Sequence, residues 1–352
     1  MKNKIYITGI GGISAQKNDF AENPLVYEQL IFKAHTPNFK EFIKPMALRR
    51  MSQAVKMGVT TALLALKDAK VELPEAIITG TGEGCKKDTE RFLEKLLDQR
   101  EDLLNPTPFI QSTHNTIGGQ IALHLGCKNY NVTYSQNSAS LESAFIDAQL
   151  LLSENPKSNN ILVGGVDEVS EVISGFRNLD QQLKTKKIKN LDLFKDDSPG
   201  TIASEGSHFF LLTSEIKEST YAELIDLGII NSVSTQGLTS EVESFLTNNQ
   251  LKPEDIDVVI LGNNGDNRFD HFYENLQQGI FKNTQQLVYK HLIGEYETAT
   301  GFAFLLAANI LKSGEIPGIL KANNIPEVKT KNILIYNQYL ARDHSLSLLR
   351  AV

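Results

Sequence analysis

Cysteine is scarce in this sequence: Cys85 and Cys127 are the only two in 352 residues. That excludes a disulfide framework or a cysteine-built metal site. No apolar run reaches the about 18 to 20 residues that a membrane-spanning helix needs. Positive charge is in deficit, since 35 Lys and Arg face 42 Asp and Glu for a net charge of −7. Nucleic-acid binding is therefore not expected, because neutralising phosphates takes clustered cations. One basic run exists, formed by Lys184, Lys186, Lys187 and Lys189. It reads first as a solvated loop and otherwise as a docking patch for an acidic partner. The opening residues lack a signal peptide's apolar stretch and small-residue cleavage site. These absences lead us to expect a reduced, cytoplasmic protein with no metal and no cofactor.

What is present is a repeated pattern of core strand, polar glycine-flanked turn and helix. Residues 5–10 alternate as a strand and run into Gly9, Gly11 and Gly12. A single long helix is expected over 46–70, where Met51, Val55, Val59, Ala62, Leu63 and Leu66 recur at helical spacing. A strand at 76–79 ends in Gly80-Thr-Gly-Glu-Gly84, residues 106–109 read as a loop, and 115–125 as a small-residue helix. Over 131–150 a short apolar approach (Val132, Tyr134) meets a turn at 135–140, and a helix follows with Leu141, Ala144, Phe145 and Ala148. A strand at 160–163 runs into Gly164-Gly165-Val166-Asp167. Residues 177–206 look irregular before a strand at 207–212.

The second half repeats the pattern. It has a strand at 222–233, a helix at 241–249, and a strand at 257–261 ending in Gly262-Asn263-Asn264-Gly265. An alanine-rich helix follows at 298–312, then closing strands at 332–336 and 345–349. Two related halves, 1–213 and 221–352, are expected to pack as one rigid unit.

In this order the segments resemble a β-ketoacyl synthase of the thiolase superfamily. Ile7-Thr-Gly-Ile-Gly is similar to that family's first strand, and Arg49-Arg50-Met51-Ser52 to its first helix entry. Gly80-Thr-Gly-Glu-Gly84, Thr107-Pro-Phe109 with Asn115, Gly164-Gly165-Val166-Asp167 and Ala203-Ser-Glu-Gly206 match further pieces. The resemblance implies a five-layer α/β/α/β/α sandwich.

It also implies where catalysis belongs, and there the chain departs. The family holds its acyl chain on a Cys at the turn before the elbow helix, where free N–H groups and the helix dipole favour a thiolate. Counting from Leu141, that position is Asn137. The family's first His, which helps stabilise the developing oxyanion, falls at Asn264. The second, five residues after a Lys, falls at Glu295 within Lys290-His-Leu-Ile-Gly294-Glu295. The glycine-rich closing turn is replaced by Asn337-Gln-Tyr-Leu-Ala-Arg-Asp343. Lys290 and Glu205 read as remnants of a buried ionic network around the site. Cys85 and Cys127 lie away from the elbow and read as buried thiols.

Asn137 has two readings: a helix N-cap, or an amide that bonds a ligand carbonyl at the acyl site. The leading functional expectation is a catalytically silent subunit of the chain-length-factor type. Such a subunit would shape the acyl tunnel of an active ketosynthase in a heterodimer, with an acyl carrier protein as further partner; a homodimer stays open. Alternatives are an altered acyltransferase using Ser138, although no base is evident for it, a malonyl-thioester decarboxylase, or a structural role in another assembly.

Overall fold

Short apolar strands stopped by glycine or polar turns build one continuous mixed sheet of ten strands. The computed structural model describes residues 4–99, 102, 104–154, 160–326 and 329–352. The first half contributes β1 (Ile5–Ile13), α1 (Pro45–Leu48), α2 (Gln53–Asp68), β2 (Ala76–Gly80), α3 (Lys86–Asp98), α4 (Pro106–Ser112), α5 (Thr116–Leu125), β3 (Tyr130–Tyr134), α6 (Ser140–Glu154), β4 (Ile161–Asp167), α7 (Glu171–Leu179) and β5 (Gly206–Thr213). The second contributes β6 (Ala222–Ile230), α8 (Thr235–Asn248), β7 (Val258–Leu261), α9 (Asp270–Gln278), β8 (Gln285–Val288), α10 (Lys290–Ile293), α11 (Thr300–Ser313), β9 (Asn332–Tyr339) and β10 (Arg342–Arg350).

The strand order is β3-β2-β4-β5-β1-β6-β10-β9-β7-β8. Read outward from the middle, the halves match: β1-β5-β4-β2-β3 on one side, β6-β10-β9-β7-β8 on the other. Antiparallel pairing of Ile5 with Leu224 and Ile7 with Ala222 joins them. The layers follow from which side each alternating residue faces. Ile78, Val163 and Phe210 from one half and Ile260, Leu287 and Ile335 from the other share a core with α6 and α11. The opposite faces bury Ile77, Leu162 and Leu211 under α2 and α5, and Val259, Leu334 and Leu348 under α8 and α9. Helices, sheet half, helices, sheet half, helices make the five layers of the thiolase-type sandwich, with the two halves hydrogen-bonded through β1 and β6.

Local capping explains three departures from expectation. The helix expected over 46–70 breaks at 49–52, because Ser52 adopts extended backbone and its Oγ accepts from Val55 N at 3.1 Å, opening α2 anew. Residues 106–109, expected as a loop, begin α4: Pro106 sits in the first turn and Asn105 Oδ1 accepts from Thr107 N at 2.9 Å. Part of the irregular 177–206 stretch closes α7, which Ser170 caps through Ile173 N at 3.3 Å. Among the described residues no helix is long and apolar enough to cross a membrane.

Candidate functional site

The turn after β3 is an elbow in backbone geometry. Asn137 has φ +46°, in the left-handed region that Asn tolerates better than most residues. Its carbonyl accepts from Ser140 N at 3.2 Å and from Ser140 Oγ at 2.6 Å, while that Oγ accepts from Gln136 N at 2.8 Å. The Asn137 side chain is exposed and its amide bonds no described residue, so Ser140, not Asn137, supplies the side-chain bond that closes this turn. Ser138 is buried, and its Oγ has no hydrogen-bond partner among the described residues.

Three of the six candidate residues meet in a single network. Glu295 Oε2 accepts from Asn264 Nδ2 at 2.8 Å and from Lys290 Nζ at 2.7 Å. Lys290 is fully buried and also donates to Asn337 Oδ1 at 2.8 Å. Asn264 Oδ1 in turn accepts from Asp266 N at 3.1 Å. A Cβ on Gly262 would stand 2.1 Å from Asn337 Oδ1, which is why this turn needs glycine there. The loop of Glu295 is pinned by backbone bonds, from Glu295 N to Ile202 O and from Ser204 N to Glu295 O, both 2.8 Å. The i,i+5 pair of Lys290 and Glu295 is thus held by loop shape, and the Asn264 amide is already committed as a donor.

Glu205 lies apart from this network. Its carboxylate accepts from Ala34 N and Val169 N, each at 3.2 Å, and faces Lys87 Nζ at 4.0 Å. It ties loops together away from Lys290. Asn137, Ser138 and Glu205 make no hydrogen bond to the Asn264–Glu295–Lys290 set.

The space next to Asn264 and Glu295 is nearly filled. Arg177, Tyr339 and Leu340 close around a cavity of about 10 Å³. That is room for about one water. Arg177 is fixed by Glu297 at 2.6 Å and Glu83 at 2.8 Å. Tyr339 and Leu340 belong to the 337–343 segment, which the resemblance sets in the place of a glycine-rich turn. Here it is a tight hairpin in which Tyr339 pairs with Arg342, and Leu340 and Ala341 have φ +52° and +57°. Side chains in these conformations are strained.

Buried carboxylates surround the site. Burial raises Glu297 to about 8, with Arg177 opposing, and raises Glu142, at the start of α6, to about 6 against its hydrogen bonds and the Lys290 charge. Asp167 accepts from Gly82 N, Glu83 N, Thr298 N and the hydroxyls of Thr81 and Thr298, tying the β2 turn to the entry of α11; burial still lifts it to about 6. Burial pushes the Cys85 thiol up to about 12, so it holds its proton at neutral pH. Cys127 is buried as well.

Several residues of this site were not expected in it from the sequence, or were expected in another role. Lys184, expected in a solvated loop, is buried: it pairs with Asp196 at 2.9 Å and donates to Gly265 O at 2.7 Å, behind the Asn264 turn. Thr201 Oγ donates to Asn264 O at 2.6 Å. Arg177, Asn337 and Tyr339 come from elements that only tertiary folding brings here. Among the described residues no group of three or more His, Cys, Asp or Glu side chains is placed to hold a metal ion.

Residues 27–182 match the family described as "Beta-ketoacyl synthase, N-terminal domain". None of the curated proteins matches the chain by sequence. Solved structures match its fold over its whole length. The ishigamide ketosynthase/chain length factor aligns with TM-score 0.82 at 16% identity over 100% of both chains. The ketosynthase ApeO in complex with its chain length factor ApeC, from Xenorhabdus doucetiae, gives 0.78 at 15% identity over 99% of this chain and 98% of that one. The AntDE:AntF complex, a type II polyketide synthase acyl-carrier protein with its ketosynthase bound to the hexaketide, gives 0.81 at 14% identity over 100% of both chains.

Proposed function

We propose that this chain, a member of the β-ketoacyl synthase family through the match at residues 27–182 and a bearer of the ketosynthase fold throughout, is a non-condensing subunit of the chain-length-factor type. It pairs with an active ketosynthase, borders that partner's acyl tunnel, and works with an acyl carrier protein. The observation that carries this reading is the closed network of Asn264, Glu295, Lys290 and Asn337 beside a cavity of about 10 Å³. An acyl thioester has no room there. No thiol stands at the elbow, and no imidazole faces the place where an oxyanion would develop.

The enzymatic alternatives have less support. Ser138 Oγ lacks a base within hydrogen-bond reach. A decarboxylase needs free donors for an enolate, yet one of the two Asn264 amide N–H groups is already given to Glu295. Assembly is favoured by an open edge. β3 ends the sheet, bonds only β2, and keeps its residues half-buried or exposed. Beyond α5, which packs on β3, α4 presents Phe109 and Ile110 and α3 presents Leu93 and Leu97 to solvent. Apolar surface next to an unpaired edge strand suits a subunit interface.

Co-expression with ketosynthases encoded beside it, followed by native mass spectrometry, tests the pairing. The expected result is a one-to-one heterodimer whose product changes or vanishes when this chain is omitted. Ile110→Glu should weaken pairing and leave the partner's Cys acylable. An Asn137→Cys protein should stay unacylated by acyl carrier thioesters in intact-mass spectra, because no base accompanies the thiol. A partner fully active alone would sink the proposal, and an acyl adduct on native Ser138 would replace it with the altered-enzyme reading.

A further inference from the structure

Away from the Asn264–Glu295 site, a cavity of about 770 Å³ opens between the middle of β1, the loop that follows it, the last turns of α2 and the outer face of α11. Its size lies in the range of small-molecule sites. Phe20, Phe302, Leu305, Leu306 and Ile310 give it an apolar wall. Its mouth carries Lys17, Lys67, Asp68 and Glu315, two charges of each sign, so it selects for no net charge. Asp68 is in addition engaged, accepting from Ile10 N at 3.0 Å.

Of the buried polar side chains in its lining, Ser14 and Gln16 are hydrogen-bonded within the chain, and His208 stands apart from them. His208 is 1% exposed, and its Nδ1 is buried without a hydrogen-bond partner among the described residues. No described group bonds its Nε2 either. The ring orientation is set by two glycines. Nδ1 lies 3.1 Å from where a Cβ on Gly301 would stand, and Nε2 lies 3.4 Å from the same point on Gly12, which lines the cavity. Nε2 therefore faces the cavity, and the edge of the ring meets Phe302 with centroids 5.8 Å apart. Burial holds His208 down to about 3, so the imidazole is neutral at physiological pH. With no protein group fixing the tautomer, the proton is free to sit on Nε2 and meet an acceptor.

We infer that this cavity binds a neutral, largely apolar molecule with a carbonyl oxygen, a medium-chain ketone or ester, whose oxygen accepts a hydrogen bond from His208 Nε2 while its chain lies along Phe302, Leu305 and Ile310. An apolar cavity with a single unsatisfied donor at its floor rewards one acceptor and disfavours a charge that must leave water. The site is independent of the assembly reading.

The test uses the full native chain with octan-2-one as probe, and octanoate and octylammonium as charged controls. Calorimetry should show saturable binding of octan-2-one and weaker binding of both ions. The ¹⁵N-labelled His208 ring should show a saturable shift of its Nε2 signal. His208→Phe should weaken octan-2-one binding about five- to tenfold, the scale of one neutral hydrogen bond. Leu305→Trp, at a half-buried lining position beside Gly12 and His208, should weaken it by crowding the approach to the imidazole. Absence of saturable binding, an unmoved Nε2 signal in the native chain, tighter binding of either ion, or native affinity in His208→Phe each overturns the inference. The ring-signal test needs no variant to fold.

Discussion

Lys290 shows at the level of a single residue how a buried charge is held in a filled site. A buried ammonium is costly unless its donors are met. Here Glu295 and Asn337 meet it at 2.7 and 2.8 Å, and Asn264 completes the carboxylate's shell. Four side chains, from α10 and the loop after it, the turn after β7 and the strand β9, are thereby locked together. Lys290→Met should destabilise the fold by about 3 to 5 kcal/mol in urea unfolding, because Glu295 is left buried and unpaired. The double variant Lys290→Met/Glu295→Leu should recover much of that loss, since both charges are then gone. A single variant that costs under about 1 kcal/mol would mean that the pair is solvated. Asn264 and Glu295 were legible from the spacing of turn motifs around Gly262 and Gly294. Asn337 was not, because its approach depends on how β9 meets the β7 turn.

Among elements, the hairpin joining β9 to β10 decides whether the site is open. Strands with a right-handed twist favour two-residue turns with both residues in the left-handed region, ordinarily Asn-Gly. This hairpin uses Leu340 and Ala341, at φ +52° and +57°, and so stores strain while Leu340 and Tyr339 line the small cavity. Ala341→Gly relieves one strained position and should raise stability by about 0.5 to 1 kcal/mol, after the added freedom of glycine in the unfolded chain is subtracted. Chemical denaturation would check it; a loss of stability would show that the Ala341 methyl packs more strongly than its backbone resists. Strand–turn–helix units were legible because their core strands alternate and their turns carry glycine. The helices α3, α7 and α9 carry clear apolar stripes at helical spacing, and the signal was present in the sequence without being used. The approach of α5 to the sheet is tight at Gly118, while Gly119 faces open space. A Cβ on Gly118 would stand 2.9 Å from Asn131 Oδ1 and 3.1 Å from Thr79 Oγ1. Bulk there would disturb the fold, so the exposed Phe109 and Ile110 are the cleaner interface positions.

Across the whole molecule, buried ionisable groups set an unusual dependence of stability on pH. Glu297 is raised to about 8, and Glu142 and Asp167 to about 6, each chiefly by burial. Where a carboxyl's folded value exceeds its unfolded one, the folded state binds more protons in between, so stability falls as pH rises through that window. The buried histidines act in the opposite direction. His208 is lowered to about 3 and His291 to about 4, both by burial. The unfolded chain then binds more protons between those values and about 6.5, so this contribution is lost as pH falls below about 6.5. Below that point the two sets oppose each other. Between pH about 6.5 and 8 the histidines are neutral in both states and the other two carboxyls are ionised, which leaves Glu297 in control. Thermal unfolding should therefore give a melting temperature that declines from pH 6.5 to 8. Glu297→Gln should flatten that decline and raise stability at pH 8 relative to the native chain, since Arg177 keeps Glu83 at 2.8 Å. A native profile flat over that window would mean that the Arg177 charge holds Glu297 ionised throughout. The buried carboxylates around the Asn264–Glu295 site would then be a permanent anion cluster rather than a proton store.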